Sequence, residues 1–285
     1  MRADVTLPRV LPWVLRAAWA ALPVTLGPTL ADRMNDWDHA TRTAGSLMLW
    51  IGWAGVAVAT FVALPVCLAV TRLGVASAVV ISAVSVAPGA VVAVIAAGAA
   101  SRPEIAEWYV NGAAYPNEQR YPLRVPGALL LGPLWIAAAL VVGVPVGAVL
   151  LLAGQNWVAG ALLVVVGGAA AGFAGRALFG LTQRWLVFVP AGVVLHDPLN
   201  LLDPVLFERA LVETLRAAPS DSDSLDLTQG ALGLALELVL TEKVPMVRST
   251  GRRGAESGAS ARLLFTPTRP GRVLAEAEER RIPVG

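Results

Sequence analysis

The sequence has a stretch without any Asp, Glu, Lys or Arg at residues 125–175, and two shorter ones at 46–71 and 73–101. A bilayer core of about 30 Å is crossed by about 20 apolar residues in a helix. Each shorter stretch therefore predicts one span, and the long stretch predicts two spans joined by a turn at 154–156. The predicted fold is a membrane α-helical bundle with four transmembrane helices, at about 46–71, 75–100, 127–153 and 157–179.

The basic residues are distributed unevenly around these spans. They lie before the first span, after the fourth, and in the central loop as Arg102, Arg120 and Arg124, whereas Arg72 is alone in the first predicted turn. Basic residues near spans are retained on the cytoplasmic side, so both termini and the central loop are predicted to be cytoplasmic. The preference for Arg over Lys, with abundant Ala, Val and Gly, suggests a GC-rich genome. We therefore expect a multi-pass protein of the bacterial cytoplasmic (inner) membrane.

The overall charge excludes some classes of partner. Charged residues make up 15 % of the chain and the formal net charge is +2, so no strong electric field favours a nucleic acid. Cys67 is the only cysteine and falls in the first predicted span, where it can form neither an internal disulfide nor a metal cluster. The expected partner at this level is the lipid bilayer, and no cofactor is expected.

Residues 1–45 are predicted to form amphipathic helices at the cytoplasmic surface of the membrane. Trp13 and Trp19 would lie at the headgroup level, with Arg9 and Arg16 directed toward the headgroups. A second, polar helix at about 29–43 would lead into the first span. A cleaved signal peptide is disfavoured because Arg16 interrupts the apolar stretch and no clear cleavage site follows.

Small residues recur at helical spacing in the third and fourth predicted spans. Gly143 and Gly147 are four residues apart, as are Gly168 and Gly172. Such spacing lets two helices approach closely in lipid. Packing within the bundle is the simpler interpretation, and a homodimer interface is the alternative.

Three proline positions fall in or beside the spans, at Pro88, Pro133 and Pro145. Broken helices of this kind form the substrate sites of some transporters. Those sites usually carry ionisable groups at membrane depth, and the predicted spans contain none before Arg176. The pattern therefore gives only limited support to a transporter or channel subunit.

The central loop contains all three tyrosines of the chain, Tyr109, Tyr115 and Tyr121, together with Trp108. Aromatic residues beside spans are typical of a belt at the headgroup level. The alternative is that the loop packs on the C-terminal domain or forms a surface that binds a partner. Both interpretations remain open.

No catalytic motif is evident in the sequence. Asp32, Asp36 and His39 could share one face of the predicted 29–43 helix, but two carboxylates and one histidine without a signature spacing are a weak metal motif. His196 closes an apolar segment before a turn. Metal sites and catalytic residues are therefore predicted to be absent, and an enzyme is the least favoured class.

Residues 183–282 predict a cytoplasmic α+β domain, a small β-sheet or barrel closed by a C-terminal helix. Strands are predicted at 185–189, at 193–195, along the leucines at every second position from Leu232 to Leu240, and at 262–265. Residues 206–215 fit either a strand or a helix. Pro270 predicts the start of the closing helix, with Val273, Leu274 and Ala277 on one side.

The segment Trp-Leu-Val-Phe-Val-Pro-Ala-Gly-Val-Val-Leu-His at 185–196 resembles the opening hairpin of bacterial pleckstrin-homology-like domains. The order of short strands followed by one helix is similar too. With Asn-Asp-Trp-Asp-His-Ala at 35–40 and Pro-Ala-Gly-Val-Val-Leu-His-Asp-Pro at 190–198, the whole chain resembles uncharacterised four-span membrane proteins of actinobacteria. The resemblance implies a strand within 206–215 and a domain that follows transmembrane segments.

These features together predict a non-enzymatic inner-membrane protein whose cytoplasmic domain binds a protein partner or the membrane surface. The basic loop with Arg248, Arg252 and Arg253 would contact anionic lipid headgroups, at about 1 kcal/mol per residue near the surface. The equally simple interpretation of this loop is a solvated segment. A small-solute transporter or channel subunit is the main alternative function.

Overall fold

A computed structural model describes residues 7–249 and 254–285 of the chain. The chain divides into two compact units, each built from two separate pieces. The helical unit comprises Met1–Gly112 and Trp135–Phe179. The β unit comprises Ala113–Leu134 and Gly180–Gly285. The second piece of the helical unit is thus inserted into the sequence of the β unit.

The first piece of the helical unit contains six helices. They are α1 (Leu7–Thr25), α2 (Gly27–Arg33), α3 (His39–Ala59), α4 (Pro65–Ser85), α5 (Ala90–Ala100) and α6 (Pro103–Asn111). Among the described residues, four helices are long and apolar enough to cross a membrane: Val10–Arg33, Pro65–Ser85, Pro133–Ala153 and Trp157–Leu181. The number agrees with the prediction, but only the last two correspond to predicted spans.

The predicted spans at 46–71 and 75–100 are interrupted in the structure. The first contains the break between α3 and α4, because Leu64 is extended before Pro65, which begins α4. The second contains the left-handed Val86 (φ 52°) and the turn before α5. Arg72, taken to mark a turn, lies inside α4 and its Nε donates to the carbonyl oxygen of Ala100 (3.3 Å). A charged residue can continue a helix when a neighbouring helix end supplies the acceptor.

Helix α1 does not lie apart from the other helices as the predicted surface helix would. Trp19 is buried, and its side chain and that of Trp53 each donate to the other's backbone carbonyl oxygen (2.9 and 3.0 Å). The α1 residues Leu15, Trp19 and Leu22 pack in one cluster with the α5 residues Ala93, Ala96, Ala99 and Ala100. Small alanine side chains let the two helices approach closely. Trp13 is exposed, and the side chain of Arg9 lies outside the described residues.

The helical unit has two distinct ends. At the α6 end, Arg16 of α1 donates a hydrogen bond to the carbonyl oxygen of Thr60, and Tyr109 of α6 donates one to that of Ala59. At the α2 end, Leu26 lies against Gly89, and Arg33 donates to the carbonyl oxygen of Ser85. Helix α1 therefore runs antiparallel to α5.

The second piece of the helical unit is a hairpin of apolar helices. Its elements are α8 (Pro133–Ala153), α9 (Trp157–Leu162), a π-helical turn (Leu163–Gly167) and α10 (Gly168–Leu181). Pro133 begins α8, whereas Pro145 lies inside that helix without ending it. The predicted turn at 154–156 is confirmed, with Gln155 in the left-handed conformation (φ 61°). A Cβ on Gly154 would lie 3.5 Å from the Thr41 hydroxyl, so this turn is at the α2 end.

The β unit contains two four-stranded sheets. The first has the order β1 (Gln119–Pro122), β2 (Trp185–Val189), β3 (Gly192–His196), β4 (Val205–Glu208), all antiparallel. The second has the order β5 (Val212–Ala217), β7 (Leu236–Ser249), β8 (Ala255–Phe265), β6 (Leu225–Asp226). Helix α11 (Pro270–Glu279) closes the unit, as predicted. The sheets do not join into a barrel, which corrects that part of the prediction.

Strand β1 comes from the central loop, before the helical hairpin, and pairs with β2, which follows it. Pro122 is opposite Trp185, and the Leu123 amide donates to the carbonyl oxygen of Arg184 (3.0 Å). A short helix, α7 (Gly127–Leu130), then leads into α8. In the sequence, the hairpin is therefore inserted between two strands that pair with each other.

The remaining strand predictions are partly confirmed. Residues 206–215 belong to β4, a 3₁₀ turn (Arg209–Leu211) and β5, so the extended alternative holds. Leu236, Leu238 and Leu240 are buried in β7. Leu232 and Leu234 precede that strand and are 69 % and 51 % exposed, contrary to the prediction of one continuous leucine face. Gly233 interrupts the alternation with a φ of 123°.

Candidate functional site

At the break between α3 and α4, polar side chains of α1, α4 and α6 come together. We call Arg16, Thr60, Thr71 and Tyr109 the Arg16–Tyr109 cluster. Arg16 Nε and Nη2 donate to the Thr60 carbonyl oxygen at 3.0 and 2.9 Å. Tyr109 Oη donates to the Ala59 carbonyl oxygen (3.1 Å) and accepts from Thr71 Oγ1 (2.8 Å). The cluster thus satisfies carbonyl groups that the end of a helix leaves without a partner.

Aromatic rings surround the guanidinium of the Arg16–Tyr109 cluster. The Arg16 Cζ atom lies 4.7, 4.4 and 5.5 Å from the ring centroids of Trp13, Phe61 and Trp108. The Trp108 and Tyr109 rings are edge-to-face at 4.8 Å. Cation–π attraction therefore compensates part of the cost of removing this charge from water. Burial of Tyr109 places this residue in the interior of the helical unit.

The 60–64 turn is also held by a close backbone approach from the end of α6. A Cβ atom on Gly112 would lie 2.2 Å from the carbonyl oxygen of Ala63, closer than any side chain permits. Glycine is therefore required at this position for α6 to reach the turn. No local sequence pattern predicts this contact, because the two segments are distant in the chain.

The other two tyrosines of the central loop belong to the β unit and differ in exposure. Tyr121 is buried, packs edge-to-face on Phe188 (5.8 Å), and donates from its hydroxyl to Glu276 Oε2 (3.1 Å). Tyr115 is 78 % exposed. The four predicted aromatic residues therefore do not form one surface. For Tyr121, the alternative that the loop packs on the C-terminal domain is confirmed.

A buried ion pair joins the strands at the base of the hairpin. Arg184 Nε and Nη2 each donate to one oxygen of Asp197 at 2.7 Å, and both side chains are at most 2 % exposed. Asn200 Nδ2 donates to Asp197 Oδ2 (2.7 Å) and to the Leu227 carbonyl oxygen (2.7 Å). Arg184 Nη1 reaches the Arg124 carbonyl oxygen (2.8 Å). This Arg184–Asp197 network has its charges paired and hydrogen-bonded, which is typical of a structural element.

A second carboxylate is buried in the β5–β7 sheet. Glu237 accepts hydrogen bonds from the hydroxyls of Ser222 and Ser224 and from Arg216 Nε (2.8 Å). Burial alone raises the pKa of Glu237, but the bonds from Ser224, Ser222 and Arg216 outweigh it and lower the pKa from 4.5 to about 2. The 220–224 loop is thereby fixed to the sheet, although its composition predicts an exposed loop.

Arg248 of the predicted basic loop lies in a two-stranded arm. Beyond Val239, β7 and β8 pair again from Val244 opposite Ser260 to Ser249 opposite Ala255. Arg248 is paired with Glu256 (Nη2 to Oε2, 2.7 Å). Arg252 and Arg253 lie outside the described residues, so binding of this loop to anionic lipid stays a prediction.

The histidines and the acidic residues near them belong to local structure, such as helix ends and ring stacking. Asp32 is in α2 and His39 begins α3, so they do not share the predicted single helix; Asp38 caps α3 by accepting from the amides of Ala40 and Thr41. His196 Nδ1 is hydrogen-bonded to the Gln183 carbonyl oxygen, and its ring stacks on Trp185. Within the described part of the chain, no three His, Cys, Asp or Glu residues come together as metal ligands would.

The predicted packing glycines have different surroundings. A Cβ on Gly147 would lie 3.1 Å from Leu163, so this residue faces the other helix of the hairpin. Gly143, Gly168 and Gly172 have open space at that position. Closer contacts occur at two unpredicted positions, Gly160 against Leu152 and Gly167 against Val144. A homodimer interface at the open glycines stays a prediction.

Comparison with known proteins gives no assignment: no protein-family model, no curated protein and no solved structure matches the chain. The resemblance to pleckstrin-homology-like domains and to actinobacterial proteins therefore rests on sequence pattern alone.

Proposed function

We propose that the chain is a non-enzymatic inner-membrane protein that displays its β unit at the cytoplasmic surface, where the unit binds a protein partner. The observation that carries this proposal is the pairing of β1 with β2 on the two sides of an apolar hairpin. A folded sheet cannot lie in the bilayer core, so both ends of the hairpin must be on one side of the membrane. The membrane helices then hold the β unit at that surface.

The distribution of charge supports the cytoplasmic orientation. Arg124 precedes the apolar hairpin and Arg184 follows it, both within the β unit. The turn at 154–156, between the two helices of the hairpin, carries no charged residue. Basic residues therefore flank the hairpin only at its β-unit ends, as the positive-inside rule expects when these ends are cytoplasmic.

The surface proposed for the protein partner is the arm formed by residues 244–249 of β7 and 255–260 of β8. These strands pair with each other beyond the paired part of β5, and the β7 strand of the arm also bonds the backbone of Asn200 and Leu202. The residues from Ala255 to Ala259 are exposed. The buried polar groups of the β unit, in contrast, are occupied in the Arg184–Asp197 network and around Glu237. The arm leaves polar and apolar side chains accessible for binding.

Cross-linked pull-down from native membranes tests this function. The full chain is compared with a variant in which a two-residue Asn-Gly turn replaces residues 248–256 of the arm, which keeps the buried Met246, and with Arg33→Gln as a control in the helical unit. We expect a protein that is recovered with the full chain and the control but lost with the shortened arm. Identical recovery with all three chains would place the docking surface elsewhere, and no specific protein with any of them would contradict the proposal.

A transporter or channel subunit is a second candidate, favoured by one observation. The chain has helix breaks at residues 60–64 and 86–89, and the first is lined by Arg16, Thr71 and Tyr109. Broken helices with polar side chains are used for substrate sites in transporters. Solute flux into proteoliposomes that equals the flux into empty vesicles would count against this candidate.

A further inference from the structure

The loop at residues 228–235 exposes two large apolar side chains on the surface of the β unit. Leu232 is 69 % and Leu234 is 51 % exposed, although the neighbouring leucines of β7 are fully buried. We call this segment the leucine loop. Its apolar tip consists of Leu232, Gly233 and Leu234, and solvation of two leucine side chains by water is unfavourable.

The leucine loop is held in this conformation by hydrogen bonds at both ends. Gln229 Nε2 donates to Asn200 Oδ1 (2.8 Å), and Asn200 Nδ2 donates to the Leu227 carbonyl oxygen (2.7 Å). At the other end, the Ala218 amide donates to the Ala235 carbonyl oxygen (3.0 Å). The outward position of the leucines is therefore a built feature of the fold.

The leucine loop lies beside the segment that leads into the helical hairpin. A Cβ on Gly127 would be 2.5 Å from the Gly230 carbonyl oxygen, and a Cβ on Gly233 would be 2.9 Å from Arg124 Nε. From Gly127 the chain continues through α7 and Leu131, which is 90 % exposed, to the start of α8 at Pro133. The exposed leucines, the Arg124 guanidinium and the entry to an apolar helix thus share one region of the β unit.

We propose that the leucine loop inserts into the membrane surface, with Leu232 and Leu234 at the level of the upper acyl chains and Arg124 at the anionic headgroups. The bilayer is the expected occupant because α8 begins only a few residues after the contact with Gly127. Exposed leucines beside a basic side chain are the composition of interfacial membrane contacts. This inference rests on the proposed position of the hairpin in the bilayer and is independent of the protein partner of the arm.

Site-specific fluorescence of the full chain in lipid nanodiscs that contain anionic lipid tests the inference. In a Cys67→Ala background, an environment-sensitive dye is attached in turn to Leu234→Cys, Leu232→Cys, Ala191→Cys and Val165→Cys. Ala191 lies in the exposed turn between β2 and β3, at the end of those strands opposite to the Pro122–Trp185 pair. Val165 lies in the hairpin and reports whether that hairpin is in lipid.

We expect brominated lipid to quench the dye at Leu234, Leu232 and Val165 but not at Ala191. Aqueous iodide should quench the dye at Leu234 about threefold less than at Ala191, because an interfacial side chain lies about 5–10 Å into the headgroup region. Quenching by lipid at Val165 with full iodide access at both leucines would overturn this inference alone. Protection from iodide without quenching by lipid would also overturn it, since protein would then cover the loop. A dye at Val165 that lipid does not reach would overturn the position of the hairpin as well.

Discussion

The helical unit and the β unit satisfy their buried polar groups in different ways. In the helical unit, side chains donate to backbone carbonyl groups near helix breaks, as Arg16 does to Thr60 and Arg72 does to Ala100. In the β unit, side chains pair with each other, as Arg184 does with Asp197 and Arg216 with Glu237. The difference follows from the backbone: the carbonyl groups of the strands accept from neighbouring strands, whereas a broken helix leaves several carbonyl groups without a donor.

This difference predicts which single substitutions should cost the most stability. A substitution in the β-unit networks leaves a charged side chain unpaired, which is costly in a buried site. A substitution in the helical unit leaves a neutral carbonyl group unpaired, at a smaller cost. The predictions below test this order.

The largest effect is expected for Asp197→Leu. The substitution leaves the buried Arg184 guanidinium without its counterion and should destabilise the β unit by about 3–5 kcal/mol. Hydrogen exchange of the β2 and β3 amides in the purified full chain measures the loss. The double variant Arg184→Met with Asp197→Leu should recover part of the stability; equal exchange in both variants would show that the charge pair is unimportant.

A smaller loss is expected for Arg16→Met in the helical unit. The substitution keeps the length and apolar character of the side chain but removes both bonds to Thr60, which should cost about 1.5–3 kcal/mol. Thermal unfolding in detergent and hydrogen exchange at residues 60–64 report the change. Arg16→Lys keeps the charge but lacks the two donor nitrogens of the guanidinium, so its melting temperature should lie between those of the wild type and Arg16→Met. A wild-type melting temperature for the methionine variant would contradict the assigned role of the cluster.

Gly112→Ala should destabilise the same turn by steric overlap, at about 1–3 kcal/mol as for other overpacked sites. The matched control is Gly98→Ala in α5, where a Cβ meets nothing within 4 Å. Alanine has a higher helix propensity than glycine, so the control should be neutral or slightly stabilising. Similar melting temperatures for the two variants would show that α6 does not approach Ala63 as closely as described.

The smallest effect is the pH dependence contributed by Glu237. Its pKa is lowered from 4.5 to about 2, so its stabilisation is present above pH 4.5 and is lost as the pH falls toward 2. Because Arg216 is partly exposed, screening limits the contribution to roughly 1–2 kcal/mol. The free energies of unfolding of the β unit in the wild-type chain and in Glu237→Gln should converge at low pH, as acid titration would show. A constant difference between them across this range would contradict the prediction.

Sequence patterns predicted the elements that depend on local composition. The 125–175 stretch gave the α8–α10 hairpin and its turn, and Pro270 marked the start of α11, because length, apolar composition and proline act over a few residues. The break before Pro65 also had a local signal, since a residue that precedes proline avoids the helical conformation. The absence of charge from the 46–71 stretch nevertheless predicts one continuous span, and the structure shows that the proline signal prevails.

Features that depend on distant partners were not predictable in this way. Strand β1 is only Gln119–Pro122, with two polar residues and a proline, and it is a strand because β2 offers it an edge. Arg72 was taken to mark a turn because its acceptor, the carbonyl group of Ala100, is not identifiable from the neighbouring sequence. The Arg16–Tyr109 cluster likewise joins α1 and α6 to the 60–71 region, over separations of 38 residues or more.

The insertion of the hairpin between β1 and β2 has a consequence for how the protein is made. During translation β1 leaves the ribosome first and has no strand to pair with until both apolar helices and β2 have followed. If only one of the two helices crossed the bilayer, β1 and β2 would be on opposite sides of the membrane and the first sheet could not form. Completion of that sheet therefore depends on correct insertion, and chains with the wrong topology would remain unfolded and open to proteolysis.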